Sequence, residues 1–307
     1  MDKDVLRRPL ALDYHPLYRF YEGGALTRAF RGLPERPDDW WSEDWVGSCT
    51  CAGNPDPDGR PQGLSTVDLP GAGPVTLQRL AQRWPEEMGR TDVLVKLLSP
   101  AGPVPLHAHP TRAWARRHLE SPYGKTEAWI LLDTPGDGVE PAYAGVPHYL
   151  GPRLSFIEVQ EPSDHIVIPE TSGADDEGAT MGLGWELALD MIDYDAADSA
   201  ATFARARQQP RVLHASGGSV EVRLLADDVL EFFDATALEV ADEIEVADGR
   251  FSVAVVTAGD GWAEGEFGRQ PLRRGQTFAW PASLALRVRA GREPVRIVRC
   301  LGPEEAR

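Results

Sequence analysis

The sequence predicts a mainly β protein with some helix, built as two related β-barrels in tandem. Three observations carry this. A chain of 307 residues exceeds one compact module, since domains average about 150 residues. Its 30 Gly and 26 Pro favour many short elements joined by tight turns over a few long helices. Apolar runs of strand length recur in both halves, in the repeated order strand, turn, strand, Gly-rich turn, strand.

Residues 1 to about 90 mix aromatic and Pro-rich loops with one helix, predicted over 76–88, where Leu77, Leu80 and Trp84 recur at helical spacing. DVLVKLLS (92–99) reads as a buried strand, RAWARRHLE (112–120) as a short helix, and EAWILLD (127–133) as an apolar strand closed by the turn residues TPGDG. Strands follow at RLSFIEVQ (153–160) and HIVIP (165–169), then a Gly- and acid-rich loop over 170–184 and a helix over 197–209. The N-terminal domain is expected to span 1–210 and the C-terminal domain 211–307. The latter holds five β-rich runs, SVEVRLL, FSVAVVTAG, QTFAWPAS, ALRVRAG and PVRIVRC, and needs no helix of any length.

Charge narrows the function. With 31 Lys and Arg against 48 Asp and Glu, the formal net charge is −17, and such a surface repels nucleic acid and anionic lipid alike. No apolar run reaches signal-peptide or membrane-spanning length. Three cysteines, Cys49, Cys51 and Cys300, make no complete disulfide set, which fits a reducing cytoplasm. A small-molecule ligand in a cytoplasmic protein is the expectation, with the oligomeric state open.

The metal-capable side chains cluster at His107, His109, Glu127 and His148. In HAHP the two imidazoles stand two residues apart, which on a strand puts both on one face. Glu127 opens an apolar strand, where a carboxylate needs a partner, and His148 follows the turn AGVPH. Imidazoles with a carboxylate suit Zn, Fe or Mn in an open, catalytic site. His15, His118, His165 and His214 lack this pattern and read as ordinary hydrogen-bonded histidines.

These segments resemble the cupin superfamily and, within it, the type I mannose-6-phosphate isomerases. The resemblance rests on VLVKLL (93–98) leading into HAHP (107–110), on YGKTEAWILLD (123–133), on AGVPHYLGPRLSFIEVQEPSDH (144–165) and on SEDW (42–45). It implies two jelly-roll barrels and one zinc ion held by His109, Glu127 and His148. His107 stands where the family has a Gln ligand, and Fe2+ or Mn2+ are alternatives to zinc. It also implies an active-site role for Lys125, which shares a face with Glu127 if the segment is regular strand. Lys96 resembles a lysine of the corresponding family strand and is a candidate substrate contact; the competing reading is a strand-edge ammonium reaching water. Glu186, in GWELALDM, reads either as a second cavity-facing substrate contact or as a carboxylate on a solvated strand face. The second barrel carries no histidine at cupin ligand positions and reads as structural.

The implied chemistry is aldose–ketose isomerisation, of mannose 6-phosphate or a related sugar, through a cis-enediol. It needs a Lewis acid at the carbonyl and hydroxyl oxygens and a group that moves a proton between C1 and C2. Two departures mark the chain. Only 20 residues separate Glu127 from His148, which implies a more open site. The arginine that follows the family's Glu-x-Gln strand is missing, with Arg112 and Arg153 as substitutes to weigh. A carbohydrate-binding cupin without turnover, or an Fe(II) oxygenase, are the rival functions.

Overall fold

A computed structural model describes residues 3–69, 71–133, 154–171, 176–192 and 207–304. The elements begin with a 3-10 turn over Lys3–Arg7, then β1 (Leu10–Leu12), β2 (Pro16–Leu17), α1 (Ala25–Phe30) and β3 (Glu43–Val46). The paired strands β4 (Thr66–Leu69) and β5 (Gly73–Thr76) lead into α2 (Leu77–Arg83) and α3 (Pro85–Met88). Next come β6 (Leu94–Leu98), α4 (Arg112–His118), β7 (Glu127–Asp133), β8 (Ser155–Gln160), α5 (Asp176–Ala179) and α6 (Trp185–Leu189). The rest is strand: β9 (Arg211–Ser216), β10 (Ser219–Arg223), β11 (Asp234–Val240), β12 (Glu243–Val246) and β13 (Ser252–Ala258). β14 (Asp260–Gly265), β15 (Gly268–Arg273), β16 (Thr277–Trp280), β17 (Leu286–Ala290) and β18 (Val295–Leu301) complete it.

The described residues are mainly β, as the sequence predicts, but their sheets are open rather than closed barrels. Three of them stack. A seven-stranded sheet, β1-β16-β13-β18-β11-β10-β9, is covered on one side by a four-stranded sheet, β12-β17-β14-β15. Between these two lies a core of Leu238, Val256, Phe278, Trp280 and Ile297 from the first and Ile244, Ala263, Leu272 and Val288 from the second. Strand alternation produces it: along β17, Leu286 and Val288 point inward while Arg287 and Arg289 face water. The other side of the seven-stranded sheet packs on the sheet β2-β3-β6-β8-β7, where Val253, Val255, Val298 and Cys300 meet Val46, Val95, Leu97, Ile157 and Val159. One hydrophobic core therefore runs across the two halves of the chain. The boundary expected near Arg211 falls where β9 begins, yet β1 crosses it to pair with β16, with Leu10 opposite Ala279.

Local departures from the predicted elements have local causes. The helix predicted over 76–88 starts as expected, with Thr76 accepting from the Arg79 N–H at 3.2 Å. It breaks at Trp84 because Pro85 disfavours the helical region for the residue before it and then serves as the first residue of α3. HIVIP forms a one-residue bridge, Ala108 to Val167, instead of a strand, since Pro169 offers no N–H to a ladder and opens a 3-10 turn. The acidic loop contains α5, and GWELALDM forms α6 where a strand face was one of the readings. Most of the helix predicted over 197–209 lies outside the described residues. No helix among the described residues is long and apolar enough to cross a membrane, and the three cysteines are free.

Candidate functional site

Register and alternation give the sheet β2-β3-β6-β8-β7 two unlike faces. Val95, Leu97, Ile157 and Val159 point into the shared core. On the opposite face Trp45 stands opposite Lys96, Lys96 opposite Glu158, and Glu158 opposite Trp129, so four strands contribute one continuous row. Glu127, opposite Gln160, is two residues from Trp129 and shares this face.

The two imidazoles arrive from an extended segment between β6 and α4, fixed by two hydrogen bonds between Ala108 and Val167 at 2.9 and 3.0 Å. The spacing of two residues brings the rings to one side, their centroids 5.0 Å apart. His107 Nδ1 lies 2.7 Å from the Pro105 carbonyl and His109 Nδ1 3.0 Å from the His165 carbonyl. A carbonyl only accepts, so in both neutral rings Nδ1 carries the proton and Nε2 offers its lone pair. Glu127 Oε2 lies 3.4 Å from His109 Nε2. Lys125 Nζ sits against both, 3.0 Å from His109 Nε2 and 3.1 Å from Glu127 Oε2. The ligand atoms of His107, His109 and Glu127 all fall within 4.8 Å of one another, and the His109 and Glu127 side chains are only 9% and 8% exposed. His148 lies outside the described residues.

Other predicted residues take different places. Lys96 is buried on the polar face, its Nζ 2.7 Å from Glu158 Oε1 and 3.8 Å from Glu43. This corrects the picture of a strand-edge ammonium reaching water. Burial pulls its pKa down, but Glu158 and Glu43 outweigh burial and hold it above the usual lysine value. Glu186 is exposed on α6, which corrects the strand-face reading. Arg112, weighed as a substitute for the missing family arginine, is bound to Glu161 and Glu231.

The sequence reading missed a set of buried charges behind the row. Arg19 bridges Asp164, at 2.9 and 3.0 Å, and Glu43, at 3.2 Å. Glu43 also accepts from Tyr21 Oη at 2.8 Å and Trp45 Nε1 at 2.7 Å. Burial pushes the Asp164 carboxyl up, yet Arg19 and Lys96 outweigh it and hold the group well below the ordinary range. Glu158 goes the other way: burial and neighbouring Glu127 raise it against the pull of Lys96 and Lys125. Its carboxylate is thus the most easily protonated of this set, one strand from Glu127. Of these residues only Glu43, Trp45, Glu158 and Asp164 fall in the quoted strings SEDW and EVQEPSDH, with Arg19 and Tyr21 in neither, and in sequence an acid inside such a string looks the same whether solvated or buried.

Gly124 explains why the segment before Glu127 opens on glycine. A Cβ there would stand 2.5 Å from the Pro110 carbonyl and 2.8 Å from the Arg112 nitrogen. The turn carrying Lys125 therefore packs backbone to backbone on the segment carrying His107 and His109. We expect Gly124→Ala to push the two apart, costing about 1–3 kcal/mol as overpacking does and weakening metal binding; urea unfolding and metal titration of the variant read both effects.

Stacked antiparallel sheets with a His, His, Glu group at the head of one of them define a cupin-fold chain. The fold is that of the mannose-6-phosphate isomerases. The enzyme from Bacillus subtilis superposes with a TM-score of 0.70 at 20% identity, covering 95% of this chain and 99% of that one. The apo form from Salmonella typhimurium gives 0.66 at 12% identity, over 96% and 99% of the two chains. A mannose 6-phosphate isomerase bound with zinc and yttrium gives 0.61 at 12% identity, over 96% and 100%. No family model and no curated protein sequence matches the chain.

Proposed function

We propose that this chain is a zinc-dependent aldose–ketose isomerase of the mannose-6-phosphate isomerase type. The observation that carries the reading is a group of two imidazoles and one carboxylate whose ligand atoms lie within 4.8 Å of one another, at the head of a sheet in the mannose-6-phosphate isomerase fold. The donors fit the ion. Both rings are oriented through Nδ1 by backbone carbonyls, as metal-binding histidines are. The Lys125 ammonium seated against His109 and Glu127 supports a centre built to hold positive charge. Two imidazoles and a carboxylate suit zinc with open positions, and a zinc-bound structure is among those similar in fold. His107, His109 and Glu127 would hold the ion, and His148 is proposed as a further ligand. When bound, zinc supplies Lewis acidity toward the carbonyl and hydroxyl oxygens of the sugar.

The remaining work falls to side chains. Lys125 Nζ sits against His109 and Glu127, the same groups that would hold a metal ion, and we assign it the proton moved between C1 and C2, which it would accept as the neutral amine and return as the ammonium. Lys96 keeps Glu158 compensated at the floor of the site and acts on the substrate only through that pair. Among the described residues, Lys96 and Lys125 both face carboxylates. The described part of the site is therefore suited to sugar hydroxyls rather than to a phosphate, and free mannose is the first substrate to set beside mannose 6-phosphate. After dialysis against Zn2+, we expect one ion per chain and ketose formed from one of these sugars, lost on chelation and restored by zinc. Turnover unaffected by chelation, or a zinc-loaded chain inert toward both, overturns the proposal.

A further inference from the structure

We propose that Arg112 and Glu161 form a positioning pair that sets Lys125 and Glu127 against the histidines, anchored by the half of the chain that carries no ligands. The proposal rests on the metal reading above. Thr126 lies between Lys125 and Glu127, and Glu161 grips it at both ends. The Thr126 N–H donates to Glu161 Oε2 at 2.9 Å, and the Glu161 N–H donates to the Thr126 carbonyl at 3.1 Å. The turn that holds Glu161 is itself fixed, because Gln160 Nε2 donates to the Glu161 and Ser163 carbonyls at 3.1 and 2.6 Å. Ser163 Oγ in turn donates to the Gly124 carbonyl. Gly124 and Thr126, on either side of Lys125, are thus held to the residues that follow β8.

Glu161 has no exposure to water, so its charge needs a buried or half-buried cation. Arg112 is that cation: its Nε donates to Glu161 Oε1, leaving Oε2 for Thr126. The same guanidinium donates from Nη2 to the Glu231 carbonyl at 3.1 Å and lies 4.3 Å above the Phe232 ring. Arg112 also opens α4, three residues after His109, and its backbone nitrogen packs on Gly124. One arginine therefore touches the histidine segment, the carboxylate that aligns Thr126, and the loop ahead of β11. Glu161 meets Thr126 through the Thr126 backbone N–H and carbonyl, so the pair acts by fixing the backbone between two site residues.

A pair that merely joined the two halves would change stability and leave the metal alone. Zn2+ affinity, measured by competition with a chromophoric chelator, separates the two roles, with the absorption spectrum of the Co2+-loaded chain as a second readout of ligand geometry. We expect Arg112→Gln and Glu161→Gln to weaken Zn2+ binding by about 10–100-fold, as loss of a group orienting a metal ligand does, and to alter the Co2+ spectrum. Arg112→Lys keeps the charge and should recover part of the affinity. Arg299→Gln, which breaks the pairing of Arg299 with Glu221 and Asp248 and touches neither the 124–127 turn nor the Glu231–Phe232 loop, should lower the melting temperature with Zn2+ affinity unchanged. Should Arg112→Gln fail to fold, Phe232→Leu removes the surface under the guanidinium and is expected to weaken Zn2+ binding more than Arg299→Gln does. Affinity within about twofold of wild type in both Gln variants, against the larger loss expected for an orienting group, overturns the proposal. A wild-type chain that binds no Zn2+ overturns the metal reading and this one with it.

Discussion

Glu127→Gln should abolish the proposed zinc binding and turnover together. The substitution keeps size and hydrogen-bonding reach but removes the one carboxylate of the His107, His109 and Glu127 group. It also removes the counter-charge that Lys125 faces at 3.1 Å. An ammonium without a carboxylate beside it opposes a divalent cation at the same point, so the loss is both of a ligand and of charge balance. Groups that only orient a ligand are worth about 10–100-fold in affinity, and a ligand itself should exceed that range. Metal content after dialysis and ketose formation by the same sample measure the two effects. Lys125, only 5% exposed, would be left buried without its carboxylate, so the metal-free variant should also melt below wild type.

Arg19→Ala should be the most destabilising single change at the floor of the site. The guanidinium is 4% exposed and compensates two buried carboxylates, Asp164 and Glu43. Removing one partner of a buried ion pair costs about 3–5 kcal/mol because the other charge stays buried without it. Urea unfolding of the metal-free chain measures the loss. The pH dependence gives an independent check. A carboxyl held below its unfolded value adds stability above that value and loses it as the pH falls through the folded value. Asp164 and Glu43 are both held low against their burial, mainly by Arg19, so the wild-type chain should lose stability on acidification below about pH 4, where free carboxyls take up protons. In Arg19→Ala burial acts on Asp164 with less opposition, and that acid loss should shrink.

The parts of the fold that were legible in the sequence are those where one physical signal dominates. EAWILLD carries a continuous apolar run and forms β7 over the same residues, 127–133, and Thr76 and Thr111 start α2 and α4 as capping residues do. Sheet closure was not legible, because short strands with turns between them suit open stacked sheets as well as barrels. The path of β1 was hidden too: nothing in LAL announces that it will pair with β16 more than 260 residues later. At the site, the i, i+2 spacing of His107 and His109 and the Gly-Lys-Thr-Glu string identified side chains that do come together. Lys96 was visible as a charge in an apolar run, but its partner Glu158 is assigned only by register across β6 and β8. Arg19, Glu161 and Arg112 were out of reach for the same reason, since their roles exist only in contacts between distant segments.

Hydrogen exchange at the substrate tests the central claim most directly. Zinc-loaded chain incubated in deuterated water with mannose and with mannose 6-phosphate should convert one of them to ketose labelled at C1 and return the aldose labelled at C2. Both labels should disappear in Glu127→Gln. Aldose recovered without deuterium and without ketose from a zinc-loaded wild-type chain would contradict isomerisation and leave a metal centre that holds sugars without transforming them.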